Sequence, residues 1–215
     1  MTESSLEPLG VEPLGVEICR LSLDLGRGRI RHPRQVGIAI RAGLFADLAL
    51  DGHVFGQKTP ETQGDGDTGH KLTDAVHRAV AGRRSTGWGH WFNHIDADRK
   101  ACVAYLVDSG IWSRDGRRLI DNTDGRTLED QQRIQLAGRP EADVPGDVRD
   151  AILVLLLLAA GAQGRPMPRR AGKLARVWLP PLLTPLGEPG RTTWSMMVAA
   201  LRQIHRSVPL RLISG

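Results

Sequence analysis

A chain of 215 residues with an apolar share of 40% can bury a sizeable core, as one large domain or two small ones. Its two cysteines, Cys19 and Cys102, stand far apart, which excludes a disulfide framework and a CxxC zinc ribbon. The net charge of +5 is unevenly placed: residues 1–162 hold 20 of the 29 basic groups and 23 of the 24 acidic ones, leaving nine Lys and Arg and one acid, Glu188, from Gln163 onward.

The chain opens on a tandem repeat, EPLGV at 7–11 and again at 12–16, whose Pro and Gly predict a flexible arm over 1–16. Glu3, Glu7, Glu12 and Glu17 occupy the place where a signal peptide needs a basic flank and an apolar run, so the expected location is the cytoplasm. ICRLSLDLGRGRI reads as a short apolar element ending in a Gly-rich turn. Val36, Ile40, Leu44 and Leu48 recur every four positions and predict an amphipathic helix over 36–50. A polar loop, QKTPETQGDGDTGHK, precedes a second helix over LTDAVHRAVAG, and a longer helix is expected from about Trp91 to Ser109. IWSRDGRRLI, with Asp115-Gly116 between apolar pairs, predicts a β-hairpin over Ile111 to Ile120. Helix-compatible sequence resumes at TLEDQQRIQLAG.

Ala151 to Ala162 is an unbroken non-polar run, closed by Asp147, Arg149 and Asp150 on one side and Gln163, Gly164 and Arg165 on the other. A spanning helix needs about 20 apolar residues, so the run predicts a helix buried in a globular core. The basic loop QGRPMPRRAGK follows, a footprint suited to phosphate on nucleic acid or on an anionic lipid surface, or else a solvated arginine-rich surface. LARVWLPPLL reads as a helix cut short by Pro180-Pro181, and TTWSMMVAALRQIHR as a last amphipathic helix. The expected fold is mainly α: a single multi-helix domain over 17–207, with one protruding β-hairpin and a tail over 208–215.

No arrangement of catalytic residues is recognisable: GxSxG, a P-loop and a strand-borne GxGxxG are all missing. His90, His94 and Asp98 recur at four-residue spacing, but HWFNH lacks the Glu of HExxH and no third ligand cluster accompanies it, so neither metal nor cofactor is expected. Arg99 falls on the helical face of Ile95, Cys102 and Leu106, and a guanidinium there needs a partner or a route to water. Arg41 borders the apolar stripe of its own helix. Carboxylates such as Asp47 and Asp74 are the structural partners to expect for these arginines. The helix followed by a hairpin also suits half of a winged helix, which keeps DNA binding open. Asp96, Asp98 and Asp108 on that helix count against it.

Several stretches together resemble the Golgi phosphoprotein 3 family: GIAIRAGLFADLALDGHV, TGHKLTDAVHRAV, DADRKACVAYLVDSGIW leading into the hairpin, RDAILVLLLLAAGA and WSMMVAALRQI, in the family's order over about 17 to 207. The resemblance implies a mainly helical domain that sits peripherally on membranes and acts as an adaptor, without catalysis. It also implies a shallow basic pocket for a phospholipid headgroup, phosphatidylinositol 4-phosphate in the eukaryotic members, and a hairpin for membrane contact or self-association. Carried over by position, the pocket arginines match Arg41 and Arg99, and the early tryptophan falls near His32. The first arginine of the later motif falls on Asp96, which favours looser binding of anionic lipid over strict headgroup selectivity.

The residues expected at the membrane, or between copies in a homo-oligomer, are Ile111, Trp112, Arg117 and Arg118 of the hairpin and Arg165, Arg169, Arg170 and Lys173 of the basic loop. Each Lys or Arg near an anionic surface contributes about 1 kcal/mol, and stable attachment needs a second signal, here an inserted Trp112. An oligomeric scaffold built on the hairpin is the remaining alternative, and nucleic acid ranks below both.

Overall fold

In a computed structural model of the chain, described for residues 12–83, 86–94, 98–139 and 143–209, helices carry the architecture. The first, α1 (Leu14–Leu21), packs across α2 (Pro33–Leu50), and glycines allow the close approach. A Cβ on Gly15 would stand 2.5 Å from Leu44 Cγ, and one on Gly43 would stand 2.9 Å from the Gly15 nitrogen. The flexible arm expected over 1–16 is thus corrected: the second EPLGV copy enters a core helix, and residues 1–11 lie outside the described residues. Pro13 does not oppose this helix because it is the N-cap, where no N–H is required, and its carbonyl accepts from Val16 and Glu17.

Among the described residues, three two-stranded antiparallel pairs decorate the helices where one was expected. They are β1 (Leu23–Asp24) with β2 (Arg29–Ile30), β3 (Val54–Phe55) with β4 (Glu61–Thr62), and β5 (Trp112–Asp115) with β6 (Arg118–Asp121). The third is the expected hairpin, with Asp115 opposite Arg118 and Gly116-Arg117 as its two-residue loop. Gly116 has φ +56°, the conformation a tight hairpin demands at its first central position. The hairpin does not stand clear of the body: Leu119 N donates to Gly28 O over 2.9 Å, and Arg118 Nη2 donates to Gly26 O over 3.1 Å.

The remaining helices are α3 (Lys71–Ala81), α4 (Trp88–His94), α5 (Arg99–Asp108), α6 (Arg126–Ala137), α7 (Val148–Ala160), α8 (Pro168–Leu183) and α9 (Glu188–Ser207). Helix α2 is buried on nearly every side, with α1, α7 and α9 packed against it and α8 behind α7. Helix α7 is the core helix expected from its apolar run. Asp147 caps it through the Arg149 and Asp150 amides, Gly161 ends it at φ +73°, and Ala151 to Leu157 are all buried. Among the described residues no helix is long and apolar enough to cross a membrane.

Two helix boundaries differ from expectation. The single helix over 91–109 is two helices, because Asp98 turns its carboxylate back onto the Lys100 and Ala101 amides and starts α5 afresh. Helix α8 begins at Pro168 and runs through Pro180 and Pro181 to Leu183. Proline at the first position needs no N–H partner, and the later pair sits in the last turn, where little helix remains to be broken. Most of the expected basic loop is therefore helical, carrying Arg169, Arg170 and Lys173.

Candidate functional site

The long burial of α2 leaves Arg41 as a half-buried cation on its edge, facing Phe92 of α4 and the N-cap of α5. Its Nη1 donates to Phe92 O over 2.9 Å, and its Nη2 stands 3.9 Å from Asp98 Oδ2. The Arg41 side chain is 14% exposed and that of Asp98 30%. Asp98 Oδ1 meanwhile accepts from Lys100 N at 2.7 Å and from Ala101 N at 3.3 Å. Asp98 thus joins the positive end of α5 to the Arg41 guanidinium. Arg99, the first residue of α5, is half-buried beside it; Asp96 lies outside the described residues.

Neither carboxylate expected for these arginines serves them. Asp74 accepts from the Thr68 amide and hydroxyl. Asp47 accepts from the Leu14 amide at 2.7 Å and pairs with Arg149 of α7, whose other nitrogen donates to Glu12 O. Burial there outweighs the adjacent guanidinium and pushes the Asp47 carboxyl up to about 7.

His32 does not join Arg41 and Arg99. It caps the start of α2 at φ +40°, and its Nε2 lies 2.7 Å from Gly164 O. The nine positions between His32 and Arg41 correspond to roughly 14 Å along the helix axis. The predicted headgroup trio is therefore divided: Arg41 faces Asp98, which Arg99 follows at the start of α5, whereas His32 belongs beside the basic segment. His90 and His94 stack on one turn of α4, but Asp98 sits on the next helix, so their apparent spacing does not make a shared face. The described residues hold no group of three or more His, Cys, Asp or Glu suited to a metal.

In the basic segment Arg165, Arg169 and Lys173 are exposed. Arg170 is half-buried and donates to the carbonyl of Gly138, the C-cap of α6, where a cation offsets the helix dipole. The His32–Gly164 contact places this segment next to the chain leaving β2. Since Gly28 of the same hairpin touches Leu119, basic segment and β5–β6 hairpin border one stretch of residues 26–32.

Trp112 is corrected most plainly. It is 1% exposed and packs into the core, because the strand reaches the body directly after α5 and its first residue faces inward. It cannot supply an inserted side chain. Ile111 is likewise partly buried against the core, while Arg117 and Arg118 are exposed. Exposed apolar side chains stand elsewhere. Leu25 of the β1–β2 turn (36% exposed), Ile120 of β6 (45%) and Leu128 of α6 (47%) line a groove of about 430 Å³, with Arg118 and Asp121 on its wall.

The sequence carried a signal for Ile120. In the observed register Trp112 opposes Asp121 and Ser113 opposes Ile120, and opposed residues share a face. Once Trp112 points inward, Ile120 points out.

A profile of the Golgi phosphoprotein 3 (GPP34) family matches residues 14–203. The chain belongs to the Golgi phosphoprotein 3 family. A search among curated proteins gave no match. The Golgi phosphoprotein 3 match begins at Leu14, the first residue of α1, so the helix misread as an arm is part of the domain.

Proposed function

We propose that this Golgi phosphoprotein 3 domain is a peripheral adaptor that docks on anionic phospholipid membranes through the side where its β1–β2 and β5–β6 hairpins meet. The observation that carries the reading is the exposed trio Leu25, Ile120 and Leu128 around one groove, with exposed Arg27, Arg29, Arg117, Arg118 and Arg126 on the same hairpins and helix. Shallow insertion of apolar side chains supplies the second signal that charge alone lacks, and each arginine adds about 1 kcal/mol at the surface. Arg165, Arg169 and Lys173 extend the basic character along the adjoining basic segment. Phosphatidylinositol 4-phosphate at Arg41 and Arg99 is the finer version of this reading, supported by the family's pocket arginines at these positions.

Flotation with vesicles of neutral phosphatidylcholine, with or without phosphatidylglycerol or phosphatidylinositol 4-phosphate, tests it. The expected result is flotation with either anionic lipid, weakening as salt rises and screens the arginines. No flotation with any vesicle at low salt rules the reading out. The same groove would then favour an oligomeric scaffold, which sedimentation across a concentration series would detect as association.

A further inference from the structure

We infer that Cys19 and Cys102 form a redox latch, a thiol pair that oxidises to one buried disulfide and fastens α1 to α5. The inference is independent of the lipid-binding reading. The two residues are far apart in the chain, yet the packing of α1 against α5 brings them together. Cys102 Sγ donates to the Gly15 carbonyl of α1 over 3.9 Å. In an α-helix that carbonyl is the acceptor for the amide four places on, here that of Cys19, and residues so spaced share a face. The Cys19 and Cys102 thiols hydrogen-bond to each other, and both residues are 0% exposed. The chain has no third cysteine to compete for either.

The same burial decides how the bond forms. Thiol–disulfide exchange needs a thiolate, and desolvation holds the Cys19 thiol well above its usual range, so the closed fold is inert. Reaction requires α1 to lift. Asp47 holds that helix at its start by accepting from the Leu14 amide, and Arg149 does so by reaching the Glu12 carbonyl. When these contacts open, one thiol loses its proton to water and attacks a small-molecule disulfide, oxidised glutathione, releasing one glutathione thiolate. The second thiol, deprotonated in turn, attacks the protein sulfur of the mixed disulfide and expels the other glutathione thiolate. Two protons and two electrons thus pass to the oxidant, which leaves as two glutathione thiols. The bulky mixed disulfide has no room in the closed core, whereas the internal bridge is uncharged and compact, so the return of α1 favours the internal bond.

The folded full chain is incubated with excess oxidised glutathione, alkylated in denaturant and weighed intact, then mapped after proteolysis. The expected product has lost two hydrogen atoms, carries no alkyl group and yields one linked peptide holding Cys19 and Cys102. Its melting temperature is expected to rise by about 5–15 °C, the range for a disulfide that closes a long loop in a domain of this size. Arg149→Ala, which loosens α1, is expected to form the bond on the order of tenfold faster, since losing a charged hydrogen bond raises the open population. If that variant does not fold, the wild-type product decides alone. Two alkylated thiols in the treated wild type overturn the inference, and so does a glutathione adduct that never resolves to the internal bond. A linked product without a higher melting temperature overturns the latch. An equal rate in folded Arg149→Ala overturns the route through α1.

Discussion

Arg41 donates to the Phe92 carbonyl and faces Asp98, so removing its guanidinium leaves a part-buried acceptor without that donor and a carboxylate without that cation. Arg41→Ala is therefore expected to cost roughly 1–3 kcal/mol of unfolding free energy, the range for stranding a buried polar group. Urea denaturation reads this directly, and a stability equal to wild type would mean that solvent replaces the guanidinium at no cost. It follows that weakened lipid binding in Arg41→Ala would not by itself identify a ligand, because the helix packing around the site changes too. Trp112 makes the same point for the hairpin. Its indole is buried, so Trp112→Ala is expected to lose about 3–5 kcal/mol, as large aromatic truncations in cores do. If instead that variant keeps its stability and loses flotation, Trp112 reaches the membrane after all. Neither residue's partner was readable from the chain: Phe92 O is a backbone atom brought to Arg41 by tertiary packing, and periodicity says nothing of it.

At the scale of elements, periodic segments were legible and their joints were not. Val36, Ile40, Leu44 and Leu48 fixed α2, and the apolar run with its charged flanks fixed α7, because burial on one face or all round writes itself into composition. The break before α5 carries no Gly or Pro; only an Asp two residues ahead of Lys100 marks it, and Asp is equally at home on a helix surface. Helix α1 was hidden for the opposite reason, since Pro13 and Gly15 look like breakers until one is seen at a cap and the other under α2. The hairpin was legible as an element, while the face it exposes depended on which side met the body. That face yields the prediction for the membrane. Ile120→Glu combined with Leu128→Glu is expected to abolish flotation on phosphatidylglycerol vesicles and to leave the melting temperature unchanged, because both side chains are exposed. Retained flotation in the double variant would move the contact to another face, with the basic segment the first to test.

For the whole molecule, a part-buried ion pair ties the first helix to α2 and α7. Asp47 of α2 receives the Leu14 amide and pairs with Arg149 of α7, and Arg149 reaches the Glu12 carbonyl, so three separate stretches meet at one carboxylate. Desolvation lifts that carboxyl to about 7 from an ordinary 3.8 despite the arginine. Glu12 and Glu17 on the same side are also raised, burial again being the largest cause. A carboxyl whose folded pKa lies above its unfolded value binds more protons in the native state between the two. Stability then falls as pH rises through that interval, and it levels off above the folded value. For Asp47 the interval runs from about 4 to 7. Unfolding free energies from denaturant titrations at pH 5, 6, 7 and 8 are expected to decline across the first three and flatten at the last. Asp47→Asn, which removes the titrating group, should reduce that slope, with Glu12 and Glu17 supplying the remainder. An Asp47→Asn profile parallel to wild type would mean that Arg149 keeps the carboxylate ionised throughout, and that α1 is held by a permanent ion pair.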